Sequence, residues 1–141
     1  MALFLYNLTI SIYSLLIHLA SLFNHKARLL IAGRKDTWVK LEKFAGEKHE
    51  NVFWVHAASL GEFEQGRPII ERLKKNSPFT TILLSFFSPS GYEIRKEYVG
   101  ADLVIYLPAD NLRNARNFLR LAKPKVALFI KYEFWHYYLK E

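Results

Sequence analysis

Four short apolar runs, separated by stretches of helical spacing, constrain the fold of this chain more than any other feature. Val52-Phe-Trp-Val-His-Ala57, Thr80-Thr-Ile-Leu-Leu-Ser-Phe-Phe87, Asp102-Leu-Val-Ile-Tyr106 and Lys125-Val-Ala-Leu-Phe-Ile130 read as strands. Phe63–Lys75, Pro89–Tyr98, Asn111–Leu121 and a segment beginning Phe134–Leu139 read as helices. Short buried strands alternating with helices of about ten residues imply right-handed βαβ crossovers on a parallel sheet. The expected class is therefore α/β, a Rossmann-like doubly wound sheet occupying residues 51–141. The last helix has barely begun at Glu141 and no Gly, Asn or Pro closes it, so the chain reads as cut rather than finished.

Residues 1–25 hold no Asp, Glu, Lys or Arg. As a helix this stretch extends roughly 30 Å, the thickness of a bilayer core. It lacks the basic start and short apolar run of a secretory signal. Asn7, Ser11, Ser14, His18 and Ser21 fall on one helical stripe. The reading is a membrane-anchor helix, spanning or interfacial, with a buried soluble helix as the alternative. Lys26, Arg28, Arg34 and Lys35 follow at once, which places that side in the cytoplasm and suits anionic lipid headgroups. Residues 26–50 read as a basic juxtamembrane segment of one or two surface helices. The formal charge of +7 thus gathers beside an apolar span, which favours lipid over nucleic acid as its partner.

Several chemistries are excluded. The chain has no cysteine, so there is no disulfide framework, thiolate zinc site or cysteine nucleophile. Gly61 to Gly66 has the spacing of a phosphate loop, but Arg67-Pro68 follows where Lys and Ser/Thr are needed. No G-x-G-x-x-G is present, and no His–carboxylate pair has metal-ligand spacing. Neither cofactor nor metal is expected.

In a parallel sheet the loops after the strand C-termini open on one edge, where ligands bind. Those loops carry Ser59, Gly61, Glu62 and Glu64, then Ser88, Ser90 and Gly91, then Asp110, then Glu133. Each also has a purely structural reading. Ser59 and Glu62 have capping-box spacing, Glu133 could complement a helix dipole, and Asp110, Ser88 or Ser90 could be N-caps. His56 points from a strand end toward the same edge.

These motifs, taken together, resemble the 3-deoxy-D-manno-octulosonic acid (Kdo) transferases of lipopolysaccharide assembly. The resemblance lies in the apolar N-terminus with Gly33-Arg34, His56-Ala-Ala-Ser-Leu-Gly-Glu62, Phe86-Phe-Ser-Pro-Ser-Gly91, Tyr106-Leu-Pro-Ala-Asp110, Pro124-Lys-Val126 and Lys131-Tyr-Glu-Phe-Trp135. It implies the N-terminal, acceptor-binding half of a two-domain GT-B glycosyltransferase. The reaction implied moves Kdo from CMP-Kdo to the glucosamine disaccharide of lipid A precursor (lipid IVA), with inversion, at the cytoplasmic face of the inner membrane. It assigns Glu62 as general base and Glu133 as a second functional carboxylate. Ser59, Gly61, Ser88, Ser90 and Gly91 become acceptor-loop residues. The donor would be held mainly by a C-terminal domain outside this sequence, so the fragment alone is expected to be inactive. The competing readings are a non-catalytic, membrane-tethered module that binds anionic headgroups, and a GT-B enzyme for another lipid-linked sugar.

Overall fold

A computed structural model describes residues 1–141. The elements are α1 (Ala2–Ala20), α2 (His25–Gly46), β1 (Val52–Ala57), α3 (Leu60–Asn76), β2 (Thr81–Phe86), α4 (Pro89–Arg95), β3 (Leu103–Tyr106), α5 (Leu112–Ala122), β4 (Val126–Phe129) and α6 (His136–Lys140). The four strands are parallel, in the order β3-β2-β1-β4. The α/β expectation holds. That order also puts a topological switch between β1 and β4, the place where sheets of this kind open a crevice at their C-terminal edge.

Side chains alternate across the sheet with period two. Trp54, Leu83, Ile105 and Leu107 face a core built with Leu41, Phe44, Phe118 and Tyr138. Val55, Leu84, Val104 and Tyr106 face the other way, onto Phe63, Ile70 and Tyr92. Both faces are covered, which is why these strands are nearly continuous apolar runs.

The basic segment is a single 22-residue helix, and it packs into the domain. Ala27, Leu30, Thr37, Leu41 and Phe44 recur at helical spacing and are buried, so α2 is part of the core with only its outer face basic. Gly33 lets it approach closely, because a Cβ there would lie 2.3 Å from the Tyr106 ring. One turn later the Thr37 hydroxyl donates to the Tyr106 carbonyl at 2.9 Å, satisfying a group on the edge strand. Asn24 caps the helix by accepting from the Lys26 and Ala27 amides.

None of the residues of α1 is buried. The helix nevertheless lies along the domain. Tyr6 donates to Asp110, Tyr137 donates to Asn7 at 2.8 Å, and Tyr13 stacks on Phe87. Leu5, Leu8, Ile12, Leu15, Leu16 and Leu19 point away into solvent.

Candidate functional site

Helix α3 begins at Leu60, three residues before the sequence expectation, because Ser59 and Glu62 form a capping box. The Ser59 amide donates to Glu62 Oε2 at 3.0 Å. Pro68 sits inside this helix without ending it. Glu62 therefore stands half-buried at the end of β1 with one oxygen held by backbone and the other without a hydrogen bond from the chain. That geometry fixes a carboxylate while leaving it a free lone pair.

Glu133 is reached differently. Past β4 the backbone takes a left-handed turn at Lys131, where φ is 66°, and this precedes α6 instead of lying within it. The Glu133 carboxylate turns inward, Oε2 lying 3.6 Å from His56 Nε2. The helix-dipole role therefore does not apply to it. The facing imidazole, outweighing partial burial, holds its carboxyl below the ordinary range.

His56 is fully buried and is the hub of this corner. Trp135 Nε1 donates to its Nε2 at 3.3 Å, and its Nδ1 lies 2.8 Å from Ser85 Oγ. An indole can only donate, so with the proton on Nδ1, given to Ser85, Nε2 accepts from Trp135; with a proton on Nε2 the ring presents a donor to Glu133, and that is the state in which it lowers the carboxyl's pKa. Ser85 accepts from Trp54 Nε1 as well, at 2.7 Å. Two strand residues, Trp54 and Ser85, and two residues past β4, Glu133 and Trp135, thus set the imidazole's orientation. Sequence reasoning had His56 at the right edge but could not see its partners.

The β2–α4 loop lies beside the first, since the Ser88 amide donates to the Ala58 carbonyl. Ser88 caps α4, accepting from the Ser90 amide at 3.2 Å, and the two hydroxyls are 3.0 Å apart. Gly91 is buried against Phe86, with room for no Cβ, whereas Gly61 has open space around it. Asp110 is not the cap of α5; Asn111 is. Asp110 is buried and accepts from the Tyr137 and Tyr138 amides at 3.0 and 3.2 Å, and from Tyr6 of α1. It joins α1, the third loop and α6.

Lys26, Arg28 and Lys35 are exposed on α2, but Arg34 is turned inward against Phe87, its guanidinium carbon 5.1 Å from the ring centroid. No group of His, Cys, Asp or Glu is arranged to hold a metal ion.

Residues 27–141 match the family of 3-deoxy-D-manno-octulosonic-acid transferases (kdotransferases). This chain belongs to that family. Among its relatives, the Aquifex aeolicus 3-deoxy-D-manno-octulosonic acid transferase is 38% identical over 87 residues, which is 61% of this chain and 24% of that protein. The transferase of the same name from Rickettsia bellii is 31% identical over 113 residues, 77% of this chain and 27% of its own length. A bifunctional glycosyltransferase/methyltransferase from Fusobacterium nucleatum is 29% identical over 97 residues, 67% of this chain and 15% of its own length. The chain spans about a quarter of the length of the kdotransferases it matches most fully. No solved structure matches it. The kdotransferase match begins at the residue where α2 enters the core and leaves α1 outside.

Proposed function

We propose that this chain is the acceptor-binding half of a Kdo glycosyltransferase, acting with a donor-binding domain that carries most of the CMP-Kdo site. The reading rests on family membership and on one observation: Glu62, in the first turn of the helix after β1, and Glu133, in the loop after β4, follow the two strands that flank the switch point. Transfer with inversion needs one carboxylate to take the proton from the attacking hydroxyl as the bond to the anomeric carbon forms. Glu62 is that base, its Oε2 held by the Ser59 amide and its other oxygen facing the acceptor. Glu133, anchored by His56, orients the acceptor hydroxyl. Ser59, Gly61, Ser88 and Ser90 line the approach, and Gly91 lets the second loop come close. The acceptor is the glucosamine disaccharide of lipid A precursor.

The site works at the cytoplasmic face of the inner membrane. Helix α1 has mean hydropathy 1.6 and is long enough to cross a bilayer. Its contacts from Tyr6 to Tyr13 favour a flat placement, with Leu5, Leu8, Ile12 and Leu16 entering one leaflet. Lys26, Arg28 and Lys35 then meet anionic headgroups.

The test is Kdo transfer from CMP-Kdo to lipid A precursor by the enzyme containing this chain, with Glu62→Gln. A fall of about a hundredfold or more supports the base assignment; transfer at the wild-type rate removes it.

A further inference from the structure

Ser85 is fully buried on β2, an interior strand of the sheet, between Leu84 and Phe86. Its Oγ has two partners, Trp54 Nε1 at 2.7 Å and His56 Nδ1 at 2.8 Å. An indole N–H can only donate, and a hydroxyl has one proton to give and two places to accept. Trp54 therefore fills one acceptor place of Ser85. The hydroxyl's own proton then has one acceptor in reach, His56 Nδ1.

The two tautomers of His56 are unequal under that inventory. With the ring proton on Nδ1, Trp54 and His56 both donate to Ser85, the buried hydroxyl proton is stranded, and Glu133 faces a bare nitrogen. With the proton on Nε2, Trp54 donates to Ser85, Ser85 donates to Nδ1, and Nε2 presents its proton to Glu133 Oε2, 3.6 Å away. A closure of about 0.5 Å brings that contact to hydrogen-bond length, with the strength an ionised acceptor adds. Trp135 then gives up Nε2, which it reaches at only 3.3 Å. Its N–H is free for the same carboxylate, whose pKa it helps to lower. One arrangement uses every buried donor and the other leaves one unmade, which is the costlier state.

Serine, histidine and carboxylate form the chain of a hydrolytic triad run in reverse. In that triad an acid orients the imidazole for a serine that meets substrate. Here the serine is sealed inside the sheet and the carboxylate is the partly exposed end.

We propose that Ser85 is a positioning residue for the transfer reaction: held by Trp54, it fixes His56 with its proton on Nε2, so that the imidazole donates to Glu133 and holds that carboxylate toward the acceptor. The positioning role rests on the reading of Glu133 given above, whereas the tautomer does not.

The test reads the ring nitrogens of His56 by NMR, on the full chain in detergent micelles at mildly alkaline pH, with the signals assigned by their loss in His56→Gln. Wild type is expected to carry a proton on Nε2 and none on Nδ1; a proton on Nδ1 overturns the proposal. Glu133→Ala is expected to keep the proton on Nε2, and a move to Nδ1 would show that the carboxylate, not Ser85, selects the tautomer. Adding Ser85→Ala to Glu133→Ala leaves Trp135 as the ring's remaining donor and is expected to send the proton to Nδ1, whereas adding Ser85→Thr keeps it on Nε2. A double variant with Ser85→Ala that still holds the proton on Nε2 removes Ser85 from the selection. In the enzyme containing this chain, Ser85→Ala should lower Kdo transfer about three- to tenfold, and Ser85→Thr should recover most of it. Transfer at the wild-type rate by Ser85→Ala, where Glu133→Gln has lost it, overturns the positioning role alone. Wild-type transfer by Glu133→Gln overturns the reading of Glu133, and Ser85 then has nothing to position. If the Ser85→Ala variants do not fold, the wild-type and Glu133→Ala spectra decide.

Discussion

His56 and Glu133 face each other at the junction of β1 and β4, imidazole Nε2 against carboxylate Oε2 at 3.6 Å. The pairing lowers the carboxyl's pKa from its ordinary value of 4.5. A group more acidic folded than unfolded stabilises the fold above its unfolded value, and that contribution is lost as pH falls through the folded one. In urea unfolding of the full chain, the stability difference between wild type and Glu133→Gln should be constant above about pH 5 and shrink on acidification below 4.5. A difference that stays flat down to pH 3 would show that the pairing has no such effect.

Glu62 has a structural duty at the helix cap and, in the proposed function, a catalytic one, and two substitutions separate them. Gln serves in a capping box, so Glu62→Gln should leave thermal stability nearly unchanged while transfer collapses. Glu62→Ala should lose transfer and also about 1 kcal/mol of stability. Equal destabilisation by the two would refute the division.

Gly91 and Gly61 look equivalent in sequence but not in space. A methyl on Gly91 would meet the Phe86 ring at 2.3 Å, while one on Gly61 meets nothing within 4 Å. Gly91→Ala should cost about 1–3 kcal/mol through overpacking, read as a lower urea midpoint. Gly61→Ala should fold at least as well as wild type, so any loss of transfer it causes reports on the acceptor.

Asp110 carries three hydrogen bonds on two oxygens, from Tyr6, Tyr137 and Tyr138. Asp110→Ala should destabilise the chain by at least about 2 kcal/mol, since two amides and a hydroxyl lose a charged acceptor. Tyr6→Phe removes only the α1 link. It should spare the sheet, as judged by hydrogen exchange in β1 and β2, while raising exchange in α1.

β1, β2 and β3 were legible because each is an apolar run covered on both faces, and β4, an edge strand with no buried residue, because its run is still apolar. The start of α3 was legible only in part, since the Ser59–Glu62 spacing marks the capping box but the apolar pattern begins the helix at Phe63, three residues late. Whatever depends on partners distant in the chain was not. Nothing near Glu133 announces that its carboxylate turns toward a histidine on another strand, and Asp110 looked like a local cap because its true partners lie in α6 and α1. Arg34 falls on the inward stripe of α2 with Ala27, Leu30, Thr37, Leu41 and Phe44, whereas Lys35 falls off it, so helical spacing turns one in and the other out.

Helix α1 touches the domain near its start, through Tyr6 and Asn7, and again at Tyr13. Fastened at two separated points, it cannot swivel on a tether. On a lipid surface its orientation is therefore that of the whole sheet, so anchoring is also aiming. In the proposed membrane placement the freedom left to the site is sliding within the plane and spinning about its normal, and the search for the proposed lipid acceptor becomes a two-dimensional one.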